Sequence, residues 1–249
     1  MILYLAWRQP DLRWWPVGRL SRPHAEFVFQ YTRGALSARS AGFRPLLSFP
    51  DVDQVYASSK LFPLFANRLM PESRPEYPRF VEWLDLPSGE RDPLVLLARS
   101  GGRRETDTFE VFPEPERTPG PAFQTTFFVH GLRRRPEAAA SEALQLASRS
   151  EVCLQPDPGN PVDPTALKVI TSRGTHIGFV PRYLCRDLQF LRGSVPVQAK
   201  ALVRRVNLPP TPMQFRVLCS FEAPWPDGFR PFADPDFAPI RSAAVAAVA

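Results

Sequence analysis

The stretch Gln155-Pro-Asp-Pro-Gly-Asn-Pro-Val-Asp163-Pro-Thr-Ala-Leu-Lys168-Val-Ile170, followed by Ile177-Gly-Phe-Val-Pro181, decides the reading of the second half of the chain. Pro158, Pro161 and Pro164 fix φ and push the residues before them into extended conformations. Asp163 is therefore held on a stiff loop just ahead of the apolar run Ala166 to Ile170. The order is loop, strand, turn, strand, helix, and a carboxylate on such a loop is positioned before any ligand arrives. Pro181 suits the first turn of a helix whose apolar stripe is Leu184, Cys185, Leu188 and Leu191, closed by Gly193. Arg182 and Tyr183 fall off that stripe, where they can meet a ligand.

Working outward, Phe127-Phe-Val-His-Gly131-Leu-Arg-Arg-Arg135 is an apolar strand ending in a glycine and a run of three arginines that Pro136 stops. Adjacent guanidiniums repel one another unless anions bridge them, and bidentate phosphate contact is the chemistry Arg suits best. A solvated charge run is the plain alternative. Together with Asn160-Pro-Val-Asp163, Ala166-Leu-Lys-Val169 and Ile177-Gly-Phe-Val-Pro-Arg-Tyr-Leu184, this pattern resembles the HIRAN domain over roughly residues 123–222. That module belongs to DNA-repair ATPases, occurs outside them in bacterial proteins, and recognises DNA ends. The resemblance implies a small OB-like β-barrel with one or two helices. It also implies roles: Arg133, Arg134 and Arg135 contact phosphate and sugar, Asp163 accepts a hydrogen bond from a terminal 3′-hydroxyl, and Phe179 packs beside a base. Arg182 and Tyr183 face the backbone, and Lys168 completes the nucleic-acid-binding set. Arg134 and Arg135 stand where the eukaryotic pattern has aromatic residues that stack on bases. Asp163 has a second reading, as a residue that rigidifies its own turn.

Charge distribution points the same way. Of the net +6, all lies between Ala122 and Val206, which hold 12 Lys/Arg against 6 Asp/Glu. Localised positive charge is the footprint of a nucleic-acid binder, since each neutralised phosphate releases counterions. Only Lys60, Lys168 and Lys200 are lysines, however, and an Arg preference that lopsided also fits a genome-wide coding bias. Cys153, Cys185 and Cys219 are too widely spaced for a CxxC metal site or an evident disulfide framework, which fits a reducing cytoplasm. No stretch approaches the eighteen or so consecutive apolar residues of a membrane span.

In the first half, Leu3, Leu5 and Trp7 alternate with Tyr4 and Ala6. Trp15 to Leu20 and Phe27 to Tyr31 repeat the period of two, so three antiparallel strands with one buried face are expected. Leu61 to Leu69 switches to helical spacing, with Pro63 in a first turn and Pro71 as the stop. Val17-Gly-Arg-Leu20, Pro45-Leu-Leu-Ser-Phe49 and Leu61 to Glu72 resemble the small N-terminal subdomain of HipA-type toxin kinases over roughly residues 1–85. The kinase core itself is missing, so kinase activity does not follow from that likeness.

Catalytic constellations are sparse. His24, His130 and His176 have no ligands at metal spacing and read as structural. Asp51 and Asp53 lack a nuclease-like partner, and Gly101-Gly102 reads as a turn. The chain thus reads as α+β, a small antiparallel sheet with helices followed by the barrel. The expected divisions are a domain at 1–112, a Pro-rich linker at 113–121, a domain at 122–232 and a flexible tail at 233–249. The expected function is non-enzymatic binding of single-stranded DNA or 3′ ends, in the setting of DNA repair, with no cofactor and no metal. The alternative is a regulatory module, related to toxin–antitoxin systems, that engages a protein partner through residues 1–112.

Overall fold

The computed structural model describes residues 1–9, 13–116 and 122–241, and it divides into two units. Residues 1–78, 89–114 and 232–241 build the first. Its strands are β1 (Ile2–Arg8), β2 (Trp14–Ser21), β3 (Phe27–Tyr31), β4 (Tyr56–Ser58) and β5 (Phe109–Pro113), accompanied by helices α1 (Arg33–Ser37), α2 (Pro63–Ala66) and, after α3 (Tyr77–Trp83), α4 (Pro93–Ser100). The five strands form one sheet in the order β4-β3-β2-β1-β5, antiparallel at each pairing.

The three expected strands are therefore present, and two more extend the sheet. β5 is not among the expected strands, yet it pairs with β1 from Leu3 opposite Pro113 to Trp7 opposite Phe109. The helix expected over Leu61 to Leu69 shrinks to α2, with Pro63 in its first turn and single turns carrying the chain on to Leu69.

Burial also differs from expectation, since Tyr4 and Ala6 are as buried as Leu3 and Leu5. One face packs on the core of Leu3, Leu5, Phe29, Phe49 and Phe65. The other is covered by the returning segment 232–241: Tyr4 meets Phe232 and Phe237 edge-on at 5.6 and 5.1 Å, and those two rings stack at 4.6 Å. Ile240 N donates to Tyr31 O at 2.9 Å, and Arg33 N to Ala238 O at 2.8 Å. The tail expected from residue 233 is thus part of the first unit as far as residue 241, and only 242–249 lie outside the described residues.

The second unit comprises residues 79–88 and 115–231. Its elements are β6 (Ala122–Phe128), α5 (Glu137–Leu144), β7 (Val152–Pro156), β8 (Leu167–Thr171), β9 (His176–Phe179), α6 (Arg182–Ser194), β10 (Lys200–Val206) and β11 (Val217–Pro224). They make two three-stranded antiparallel sheets, β10-β11-β6 and β7-β8-β9. Two isolated bridges join them, His130 to Phe179 and Glu151 to Leu202. Where a barrel was expected, the strands are seen as these two sheets.

Residues 79–88 pack here although they precede the second unit by some thirty positions. Leu84 is fully buried, Phe80 meets Phe215 edge-on at 6.1 Å, and Asn207 Nδ2 donates to Trp83 O at 2.8 Å. Asp85 pairs with Arg204, and Glu82 with Arg205 at 2.7 Å. The division at 112 thus misses a segment whose attachment is long-range. Within the expected linker 113–121, Pro113 ends β5 and Glu114 N donates to Ile2 O at 2.9 Å, while residues 117–121 lie outside the described residues.

Tyr31 provides a test of the first core. Its hydroxyl donates to Phe49 O and accepts from Leu46 N, both at 2.7 Å, and burial pushes its pKa up to about 12. Tyr31→Phe leaves both backbone groups without that partner, so urea denaturation should show a loss of about 1–3 kcal/mol, whereas a change within a few tenths would mean that other groups replace it.

Candidate nucleic-acid interface

The arginine turn is built by a glycine and closed by a bridge. Gly131 sits at φ 77, a left-handed conformation that L side chains rarely adopt, and it lets the chain leave β6 and enter a short 3-10 turn over Leu132–Arg134. Leu132 is buried and anchors the turn from below. His130 N donates to Phe179 O at 2.9 Å and Phe179 N to His130 O at 2.8 Å, which lays the turn beside the end of β9. Such an approach needs Gly178, because a Cβ there would lie 2.4 Å from His130 O and 2.6 Å from Val129 Cγ1.

The three arginines then diverge. Arg133 and Arg134 are exposed, and their side chains make no hydrogen bond or ion pair among the described residues. Arg135 is half-buried: its guanidinium lies 5.5 Å from the Phe179 ring centroid and donates from Nη1 to His176 Nδ1 at 3.0 Å. His176 Nε2 donates to Gly178 O at 2.9 Å, and its ring meets Phe179 edge-on at 4.7 Å. A guanidinium can only donate and a carbonyl can only accept, so His176 is the neutral tautomer with its proton on Nε2. Burial, then the charge of Arg135, hold its pKa below the usual histidine value. Sequence reading treated His176 as structural and so missed its grip on Arg135. No local pattern marks that partner, because it arrives across the His130–Phe179 bridge.

Lys168 lies opposite Phe179 in the β8–β9 pairing and opposite Gln155 in the β7–β8 pairing, on the sheet face away from buried Leu167 and Val169. Its Nζ pairs with Asp157 Oδ1 at 2.9 Å. Hydrogen bonds from Lys168 and Asn160 hold the Asp157 carboxyl below its ordinary pKa. The turn after β8 is fastened by Glu142 of α5, whose two carboxylate oxygens accept from Thr171 and Thr175 hydroxyls at 2.6 Å each.

Asp163 stands in the connection between β7 and β8. Oδ1 accepts from Thr165 N at 2.9 Å and Thr165 Oγ1 at 2.6 Å, so the carboxylate does rigidify its own turn. Oδ2 pairs with Arg182 Nε at 2.9 Å, and Arg182 Nη2 donates to Val162 O at 3.1 Å. Pro181 stands at the cap position, one residue before the expected first turn, and α6 runs through Gly193 to Ser194. Its buried face includes Leu184, Cys185, Leu188 and Leu191, the expected stripe, which leaves Arg182 and Tyr183 partly exposed in the first turn.

Two groups are thus brought together by bonded contacts. One joins Arg135, His176 and Phe179, with Lys168 as the cross-strand neighbour of Phe179; the other joins Asp163 and Arg182. Among the described residues no cluster of His, Cys, Asp and Glu could hold a metal ion, and no helix is long and apolar enough to cross a membrane. Cys185 and Cys219 are buried thiols pushed up to about 12, while Cys153 is exposed; all three are free.

A small β domain with a basic turn and a basic helix start is the class that this geometry defines. Residues 123–224 match the family model of the HIRAN domain. Two solved structures are similar to part of the chain. One is a protein from Lactobacillus plantarum, 22% identical, with a TM-score of 0.33 and coverage of 41% of this chain and 94% of the other. The second is the HIRAN domain of human HLTF, 20% identical, with a TM-score of 0.30 and coverage of 43% of this chain and 84% of the other. No curated protein matches the chain. The family match lies outside residues 1–85, so it lends nothing to the HipA resemblance of that segment.

Two measurements probe this geometry. Gly178→Ala should lower stability by about 1–3 kcal/mol in a denaturant melt, the usual range for backbone strain that the fold must absorb. An unchanged midpoint would mean that the His130 bridge is dispensable. Because the folded pKa of His176 is depressed, its contribution is fully present above the unfolded value of about 6.5 and is lost as pH falls through that value toward the lower folded one. An NMR titration should therefore place the imidazole midpoint below about 6.5, and His176→Gln should remove that part of the acid dependence of thermal stability.

Proposed function

We propose that the second unit binds single-stranded nucleic acid, with 3′ ends of DNA as its substrate, and that it does so without catalysis. The observation that carries this reading is the convergence, through the His130–Phe179 bridge, of the exposed Arg133-Arg134 turn with a face bearing Phe179 and Lys168. The HIRAN match of residues 123–224 supports it. Arg133 and Arg134 take phosphates. Arg135, held against Phe179, adds a flat cationic surface on which a base can rest, in the place of a missing aromatic side chain. Arg182 and Tyr183 face the strand backbone. The Asp163 carboxylate, its charge offset by Arg182, accepts from a terminal hydroxyl, a position where an internal nucleotide would bring a repelling phosphate. The two bridges between the sheets support an OB-like closure of this unit.

For the first unit a second reading has its own observation: Leu36, Leu47 and Val55 are exposed. These side chains favour docking of a protein partner, the regulatory role expected of a HipA-like subdomain. A toxin–antitoxin or DNA-repair setting in the cytoplasm is consistent with both readings.

Fluorescence anisotropy on the full chain separates end recognition from general affinity. Asp163→Asn keeps the acceptor that Thr165 uses and removes the charge, so it should weaken a 3′-hydroxyl strand by about 1–3 kcal/mol. Binding of a 3′-phosphate strand should be weak in the wild type and equal or better in the variant. Arg134→Ala should weaken every strand and flatten the salt dependence. Equal losses for both strand ends in Asp163→Asn would leave the residue a turn constraint alone.

A further inference from the structure

Helix α6 carries a feature that the interface above does not use. Phe190 leaves 53% of its surface exposed. Its ring lies flat on Phe229, with centroids 5.4 Å apart and planes 9° from parallel. Phe229 in turn meets Trp225 and Phe123 edge-on at 5.6 and 5.8 Å, and Phe123 is fully buried. Trp225 Nε1 donates to Phe229 O at 3.1 Å, which fixes the supporting loop. The exposed ring is thus tied to the core through its inner face rather than swinging freely in water.

Its neighbours on the helix set the chemistry. Arg182, Arg186 and Phe190 recur every four residues, so they form one row along α6, about 12 Å from end to end. Arg186 is exposed and Arg192 partly so, whereas Asp187, the only acid of the helix, is buried. The row therefore presents positive charge beside an exposed flat aromatic ring, with Gly193 and Ser194 beyond it. At its other end Arg182 is bonded to Asp163, so the row is continuous with the interface described above.

We propose that this row is a second contact site for single-stranded nucleic acid, in which a base stacks on Phe190 and Arg186 receives the adjoining phosphate. The inference rests on the single-strand reading of the Asp163–Arg182 end. A strand anchored there runs along α6 toward its C-terminus, and only a strand long enough to reach Phe190 gains the stack. Base–aromatic stacking tolerates any sequence because every base has a π-face.

The test uses the full chain, anisotropy and labelled single strands of about 4 and about 12 nucleotides, one at the short end and one well inside the range of site sizes known for small single-strand-binding folds. Phe190→Ala should weaken the longer strand about 5- to 100-fold and leave the shorter unchanged. Phe190→Trp should retain long-strand affinity, with its emission quenched on binding. Arg186→Glu should weaken the longer strand through an independent residue, and thermal melts check that each variant is folded. Unchanged long-strand affinity in Phe190→Ala, while Arg134→Ala still weakens both strands, overturns the row and spares the first interface. Absence of binding by the wild type overturns both. Self-association that Phe190→Ala abolishes, with strand affinity intact, would make the ring a protein contact instead and overturn the proposal.

Discussion

The pairing of His130 with Phe179 is the constraint on which the candidate interface depends. Two backbone hydrogen bonds join the end of β6 to the end of β9, and they form only because position 178 has no side chain. With the bridge in place, residues far apart in the chain share one surface: the arginine turn, the Phe179 ring and, across the β8–β9 pairing, Lys168. Without it, Gly131 would still turn the chain and Leu132 would still anchor it, but the turn would lose its backbone link to β9.

Geometry redistributes the positive charge that composition locates between residues 122 and 206. Arg204 and Arg205 lie against Asp85 and Glu82, Lys168 against Asp157, and Arg182 against Asp163. Part-exposed pairs of this kind contribute little to stability. Their larger effect is on recognition, since a guanidinium already facing a carboxylate offers less to a phosphate. Arg133 and Arg134 are exposed and make no side-chain ion pair among the described residues, so their guanidiniums stay open to phosphate.

Arg135 illustrates how one change of environment alters what a residue can do. Beside two exposed arginines of identical chemistry, it is withdrawn from solvent by Phe179 and His176. Lys168, Asp157 and Arg135 all act on His176, but burial is the largest influence and lowers its pKa. A neutral ring can accept from Arg135; a protonated one would repel it. Orientation of the guanidinium over Phe179 is therefore coupled to the protonation of a residue that contacts no ligand in the proposed mode.

Local information in the sequence was enough for what depends on neighbours in the chain. Alternation found β1, β2 and β3, the Leu184-Cys185-Leu188-Leu191 stripe found the buried face of α6, and the prolines around Asp163 marked a stiff turn, which Thr165 then secures. The motif from Phe127 to Leu184 was also specific enough to suggest the family that residues 123–224 match. Tertiary structure decided whatever depended on long-range partners. Residues 79–88 joined the second unit because Leu84 and Phe80 found apolar surface and Asp85 and Glu82 found Arg204 and Arg205 there. Residues 232–241 joined the first because the Tyr4 face of β1 needed cover. The split among three adjacent arginines was equally invisible in one dimension, because burial and hydrogen-bond geometry at Arg135 come from β9, some forty residues away, and no local pattern encodes that distance.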